Sequence, residues 1–414
     1  MPLQIFGKRA PDVFRHREVG FLRQLTQRGQ ERFREKEVCS NHTHIIRKKY
    51  MRHLWRRPLP PRHECRGFSG VLMSSTNTRH NNRFDSLRLL AAWLVLFSHC
   101  FPLGGQPQRE PLASTLGIDT LGGVGVAIFF VLSGYLVTLS LQRTDSVLVF
   151  VRKRAVRIYP ALVVTCLLCV LVLGPVLTSL PLAEYFSHSM TWDYLKTSSA
   201  LKVRYALPGV FTDNPLPNAV NGSLWSLPYE LKCYLALMVL GLLPLSLKLK
   251  ILGAFGVLLV LALLRPAVPP ASPFDQFIGL DYYVTKMGLV FALGAAFAAW
   301  RDFVRPSAAL GLVLLAVAVA LPHGNVQLVI WLCGLGMLVL WLALYGFWLP
   351  AVPERMGDWS YGAYLYGFPV QQVLAQMGVH QWGMGWFVLF STVLTLVLAA
   401  FSWHSVEKPA MRWK

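Results

Sequence analysis

The chain has 414 residues, 54% hydrophobic and 14% charged, with a mean hydropathy of +0.45. A soluble domain carries about a quarter charged residues, so the composition excludes an ordinary soluble protein, and apolar blocks near the roughly 20 residues of a bilayer span define an all-α polytopic integral membrane protein. The net charge of +20 does not call for nucleic acid: residues 1–80 hold 18 Lys/Arg against 6 Asp/Glu, and most of the remainder falls in loops on one face, as the positive-inside rule describes.

Residues 1–82 form a basic, polar stretch with no apolar block, and therefore no h-region of a cleavable signal peptide. They are expected to be poorly ordered. Their Cys39, His42, His44, His53, His63 and Cys65 fit no common zinc-ligand spacing, and no metal site is predicted. Met73 is followed by SSTNTRHNN and then the first apolar block, so residues 1–72 read as a dispensable extension. A transmembrane domain is expected over 83–410 and a short cytoplasmic tail over 411–414.

Ten apolar blocks follow, at about 86–103, 121–141, 157–180, 224–246, 250–264, 281–300, 307–321, 326–347, 359–378 and 383–404. The connections 142–156, 247–249, 301–306 and 348–358, with the adjoining block ends, carry Arg143, Arg152, Lys153, Arg154, Arg157, Lys248, Lys250, Arg301, Arg305 and Arg355. The alternate connections carry few cations, so about ten transmembrane helices with both termini cytoplasmic are predicted. The cysteines Cys100, Cys166, Cys169, Cys233 and Cys333 lie in apolar runs and read as small hydrophobes rather than a redox framework.

The first block, RFDSLRLLAAWLVLFSHCFPL, carries Arg88 near its start and His99 near its end. At about 100° and 1.5 Å per residue this spacing returns both side chains to within about 20° of one face, roughly 16 Å apart. Ionisable groups inside a span are costly and face a bundle interior or a wet path, which makes the pair a functional candidate. Snorkelling of Arg88 and ordinary packing of His99 form the competing reading.

In the second block, GVGVAIFFVLSGYL supplies small residues for close helix approach. At the head of the third, FVRKRAVRIYP sets Arg154 and Arg157 on one helical face with Lys153 beside them, a phosphate-binding arrangement or a simple membrane anchor. The connection 181–223, rich in aromatics and broken by Pro and Gly, suits an interfacial or re-entrant segment, and Asn221-Gly222-Ser223 is a sequon. SLWSLPYELKCY then places Glu230 about 10 Å into the fourth block, at a depth His99 can reach. A carboxylate there can fix the histidine's tautomer, or Glu230 can make a local structural contact. GDWSYGAYLYGFPVQQ and the terminal SVEKP read by themselves as aromatic-belt residues and a stop.

Taken together and in order, Arg88-x10-His99, GVGVAIFFVLSGYL, FVRKRAVRIYP, SLWSLPYE, WSYGAYLYGFP and the terminal EKP resemble the acyltransferase-3 family of membrane acyltransferases, over about 83–410. The resemblance implies an acyl-CoA dependent O-acyltransferase of a bacterial inner membrane that moves acyl groups, commonly acetyl, to hydroxyls of surface or exported glycans. Acyl-CoA is then a donor substrate rather than a tightly bound cofactor, and the partners are donor, glycan or glycolipid acceptor and membrane lipid. It implies that Arg88 and His99 are the essential pair, that Arg154 and Arg157, with Lys153, hold the donor, and that Glu230 is the acidic position of the fourth span. The chain departs from the family at Ala127, where Asp is frequent, and at Gly367, where His is frequent. Two other classes use the same residue types: a transporter for a lipid or organic anion, and a non-catalytic membrane scaffold.

Overall fold

The computed structural model describes residues 70–144, 146–264, 282–353 and 356–413, with side chains from Arg83 onward. The cysteines and histidines of the basic leader lie outside the described residues. Among the described residues there is no strand. The longer helices are α1 Gly70–Leu103, α2 Leu121–Gln142, α3 Val147–Leu168, α4 Leu227–Leu242, α5 Leu247–Leu264, α6 Tyr282–Ala299, α7 Ala308–Ala320, α8 Asn325–Tyr345, α9 Ser360–Gln376 and α10 Met384–Ser402. Each overlaps one predicted block. Length and composition qualify seven stretches as membrane spans, in α1, α2, α3, α5, α6, α8 and α10; α4, α7 and α9 are shorter, so ten full spans do not follow from length alone. α1 starts at Gly70, upstream of the expected boundary, and α3 starts at Val147, ten residues before the predicted block. Arg152, Lys153 and Arg154 are therefore inside a helix rather than in a loop.

α3 continues through a π turn, Cys169–Leu173, into Gly174–Leu177. The cause is Pro175, which has no N–H to give back. The Gly174 amide bonds Cys169, and the orphaned Val170 carbonyl accepts from the Tyr185 hydroxyl at 2.9 Å. A second π turn, Trp403–Glu407, similarly precedes Pro409 at the end of α10.

Glycines set the closest packing. A Cβ on Gly125 would lie 2.5 Å from the Ala91 carbonyl oxygen of α1, and one on Gly134 would overlap the Phe291 carbonyl of α6. Gly294 faces the Val131 carbonyl in the same way, so α2 is locked between α1 and α6 backbone to backbone. On the other side of α1, the buried Gln371 of α9 donates to the Leu96 carbonyl at 2.7 Å. The helices α5, α7 and α10 turn Leu249, Val257, Val313 and Phe401 outward. An apolar surface of this extent belongs in lipid.

Contacts gather the charged connections at one end. Arg83 donates to the Leu344 carbonyl (2.9 Å), Ser86 to Pro350 (2.6 Å) and Arg301 to Gln142 (2.8 Å), while Lys248 lies 4.6 Å from the Phe303 ring centroid. The middle of α1 around Arg83, the start of α5 and the ends of α2, α6 and α8 thus share that end. The long connection contains short helices over Leu182–Ser187 and Ser189–Asp193, and returns to the bundle through a 3₁₀ turn, Gly222–Ser226.

Candidate functional site

The charged end opens into a cavity of about 670 Å³. α1 contributes Asp85 and Arg88, α3 contributes Arg154 and Arg157, α4 contributes Glu230 and Tyr234, and the segment entering α9 contributes Asp358. Asp358 is the hub. Its carboxylate pairs with Arg157, lies 3.6 Å from Arg88, and accepts from the Ser360 amide (3.1 Å) and hydroxyl. Arg88 is also 3.6 Å from Asp85. Burial alone would raise the Asp358 pKa, but the guanidiniums of Arg157 and Arg88 and the Ser360 hydrogen bonds overcome it and hold the carboxyl below its ordinary value. The turn into this segment requires glycine: Gly357 has φ +72°, and a side chain there would overlap the Trp403 ring.

Arg154 differs from its neighbours. No carboxylate within ion-pair distance and no hydrogen bond holds it among the described residues, and its Nε is buried without a partner. Its guanidinium lies 6.0 Å from the Tyr234 ring centroid, and the Tyr234 hydroxyl donates to Glu230. Glu230 therefore braces the ring beneath Arg154. Lys153 turns away to the α2–α3 connection, donating to Thr144 at 3.3 Å, and does not line the cavity.

His99 sits deeper, outside the cavity wall. Its ring packs edge-on against Phe368 of α9 (centroids 5.3 Å apart), and its Nδ1 is 3.5 Å from the Ser223 hydroxyl. The Ser223 carbonyl accepts from Tyr364, whose hydroxyl is 2.6 Å from Ser226, and Tyr364 and Ser226 both line the cavity. Ser223 thus joins the two, its hydroxyl facing the histidine and its backbone carbonyl held by Tyr364 of the cavity floor. The 3₁₀ turn that carries it is pinned by the fully buried Asn221, which donates to the Leu365 carbonyl at 2.8 Å and accepts from the Ser223 amide. Asn221 is consequently no glycan acceptor in the folded chain, and the sequon is structural.

The fold brings together four of the six site residues expected from sequence: Arg88, Arg154, Arg157 and Glu230. It does not bring Glu230 to His99; Ser223 takes that place. Sequence reasoning missed Asp358, Tyr364, Ser223 and Ser226, all of which lie in the quoted SLWS and GDWSYGAY stretches. The available signal was a lone carboxylate, Asp358, beside a block of otherwise uncharged residues. Of the two departures, Ala127 is buried in the core and Gly367 packs against Leu96; neither touches the cavity.

Fold and site together define an integral membrane helical bundle with a charged internal cavity and a half-buried histidine beyond its floor. The chain belongs to the acyltransferase-3 family, whose model, described as an acyltransferase domain, matches residues 81–404. It is 34% identical to the O-acetyl transferase of Shigella phage Sf6, covering 79% of this chain and 95% of that protein. It is 31% identical to nodulation protein 10 of Rhizobium leguminosarum bv. viciae, covering 80% and 94%. Acyltransferase MdmB of Streptomyces mycarofaciens is 32% identical over 36% of each chain. No solved structure matches. The protein is therefore an acyltransferase, with an acyl donor and an acceptor as its substrates.

Proposed function

We propose that the protein transfers an acyl group, acetyl by family habit, from acyl-CoA to a hydroxyl of a surface or exported glycan, in a bacterial inner membrane with both termini cytoplasmic. The observation that carries this reading is the single cavity uniting Arg88, Arg154, Arg157 and Glu230, whose floor connects through Tyr364, Ser226 and Ser223 to His99. The positive-inside rule sets the cavity on the cytosolic face, where acyl-CoA is found. The relatives named above, from a phage and two bacteria, support the bacterial setting.

Arg154, the guanidinium without a carboxylate partner, takes a donor phosphate first. Arg88 and Arg157, held in register by Asp358, flank it, and Lys153 has no part in donor binding. The pantetheine arm runs toward Tyr364 and brings the thioester to the level of His99. With Nδ1–H donating to Ser223, the Nε2 lone pair of His99 removes the proton of the acceptor hydroxyl. The oxygen attacks the thioester carbonyl, a C–O bond forms, the C–S bond breaks, and the thiolate leaves to take up a proton. Glu230 acts through Tyr234 and Arg154 rather than through the histidine.

The test is release of free CoA, and transfer of label from acetyl-CoA to glycan, by membranes containing the wild type or His99→Ala. A positioned base contributes about 10²–10⁴-fold, so the variant should insert normally and transfer almost nothing. Near wild-type transfer by His99→Ala would remove the base. Substrate flux without thioester consumption would identify a transporter instead.

A further inference from the structure

The arginine cavity changes character with depth. α2 runs toward the charged end, so its lining residues Leu136, Ser133, Phe129 and Val126 mark successive depths, the last about 15 Å beyond the first by helix rise. Asp85, Arg88, Arg154, Arg157 and Asp358 make the outer part ionic, whereas Val126, Phe129, Ser226, Leu227 and Tyr364 close the floor and carry no charge. Phe129 gives that floor its shape. Its ring lines the cavity and meets Tyr364 edge-on, with centroids 5.7 Å apart. Behind it lie three buried alanines from three helices, Ala92 of α1, Ala363 of α9 and Ala399 of α10. Residues this small leave a niche between the helices, and the phenyl ring fills it.

The walls of the niche have little room to move. A Cβ on Gly125 would lie 2.5 Å from the carbonyl oxygen of Ala91, the neighbour of Ala92, and one on Gly362, the neighbour of Ala363, would lie 2.9 Å from the Ala399 Cα. Around Phe129, α1 meets α2 and α9 meets α10 backbone to backbone. Such a wall yields little to an extra methylene and collapses only in part when a ring is removed. Transfer breaks the C–S bond of the thioester and makes a C–O bond at the same carbon, the acceptor's proton passing through His99 to the thiolate. The acyl tail takes no part in that exchange and has only to fit. A thioester that reaches Tyr364 has the Phe129 ring beside its tail.

We infer that Phe129 limits the length of the transferred acyl group, so that the site takes acetyl and rejects butyryl and longer chains. This inference rests on the acyl-transfer reading and names the donor class of that site. The test follows CoA release by the full chain in detergent with acetyl-, butyryl- and hexanoyl-CoA. Donors are compared as ratios of kcat/KM, from which any loss of active protein cancels. One methylene in a fixed apolar site is worth about tenfold or more, so the wild type should use butyryl-CoA about 100-fold less well than acetyl-CoA. Phe129→Ala should raise the butyryl-to-acetyl ratio by about tenfold or more. Phe129→Leu, which keeps most of the packing, should raise it by less. A wild type that uses butyryl-CoA as readily as acetyl-CoA, or a ratio that neither variant moves, overturns the inference. Binding of the thioethers S-ethyl-CoA and S-butyl-CoA, read by thermal shift, needs no turnover and decides the case if the wild type consumes no thioester. Tighter binding of S-ethyl-CoA by the wild type, with a gap that the variants narrow, would then leave Phe129 as the limit on chain length while the acyl-transfer reading falls. Equal binding of the two thioethers, or a gap the variants leave unchanged, would overturn both.

Discussion

Replacing Asp358 by Asn removes the carboxylate between two guanidiniums and little else. At an effective dielectric of 20, a charge pair at the 3.6 Å separation of Arg88 and Asp358 is worth about 4–5 kcal/mol gross. Breaking a buried pair costs about 3–5 kcal/mol. The side chains of Asp358, Arg88 and Arg157 are 10%, 19% and 20% exposed, and Arg88 keeps Asp85, so a net loss of about 2–3 kcal/mol is expected. Scaled to the helical unit, this lowers the Tm by about 3–4 °C. The variant cavity is also more positive by one charge. Saturating CoA should therefore stabilise the variant more than the wild type and narrow the gap, as linkage requires. Thermal unfolding in detergent, with and without CoA, measures both effects. A variant as stable as wild type, or a gap indifferent to CoA, would refute the account of Asp358 as the carboxylate that holds Arg88 and Arg157 beside the donor. The sign with pH follows from a depressed carboxyl. Its contribution is complete above the ordinary aspartate value of 3.8 and lost as pH falls through the lower folded value. The stability gap should hold steady from about pH 8 to 5 and close below about pH 4.

Arg154→Ala should raise the KM for acetyl-CoA at least tenfold, whereas Lys153→Ala should leave it within twofold; equal effects would return Arg154 to the status of a membrane anchor. Ser223→Ala should lower kcat about tenfold with donor KM unchanged, and shift the acidic limb of the pH–rate profile, because the histidine loses its tautomer-setting partner; an unmoved profile would make Ser223 a packing residue. Gly134→Ala drives a methyl into the Phe291 carbonyl. It should cost roughly 3 kcal/mol or more by overpacking, seen as lost yield of folded protein in detergent, and near-normal yield would show that α2 and α6 can part.

Hydropathy located each of the ten longer helices, because lipid-facing and packed apolar residues look alike in a sequence. It misplaced the start of α3 for the opposite reason: Arg152, Lys153 and Arg154 depress hydropathy where they in fact continue a helix. Helical spacing placed Arg154 and Arg157 together and pointed Arg88 inward, both matters of local geometry. The partner of His99 was not legible. Depth along two helices placed Glu230 level with His99, but only the 3₁₀ turn pinned by Asn221 decides which side chain arrives there. Asp358 escaped notice because its partners Arg88 and Arg157 come from helices distant in sequence, and nothing local distinguishes it from a turn residue.

The passage of α9 beside the arginine cavity and His99 has a consequence for how this chain can vary. The stretch from Tyr364 to Gln376 works as a measuring rod whose length and angular phase are both fixed. Inserting or deleting a single residue would swing everything beyond it by about 100°, pulling Gln372 off Asn214. Side chains along the rod can be exchanged one at a time, but its residue count cannot.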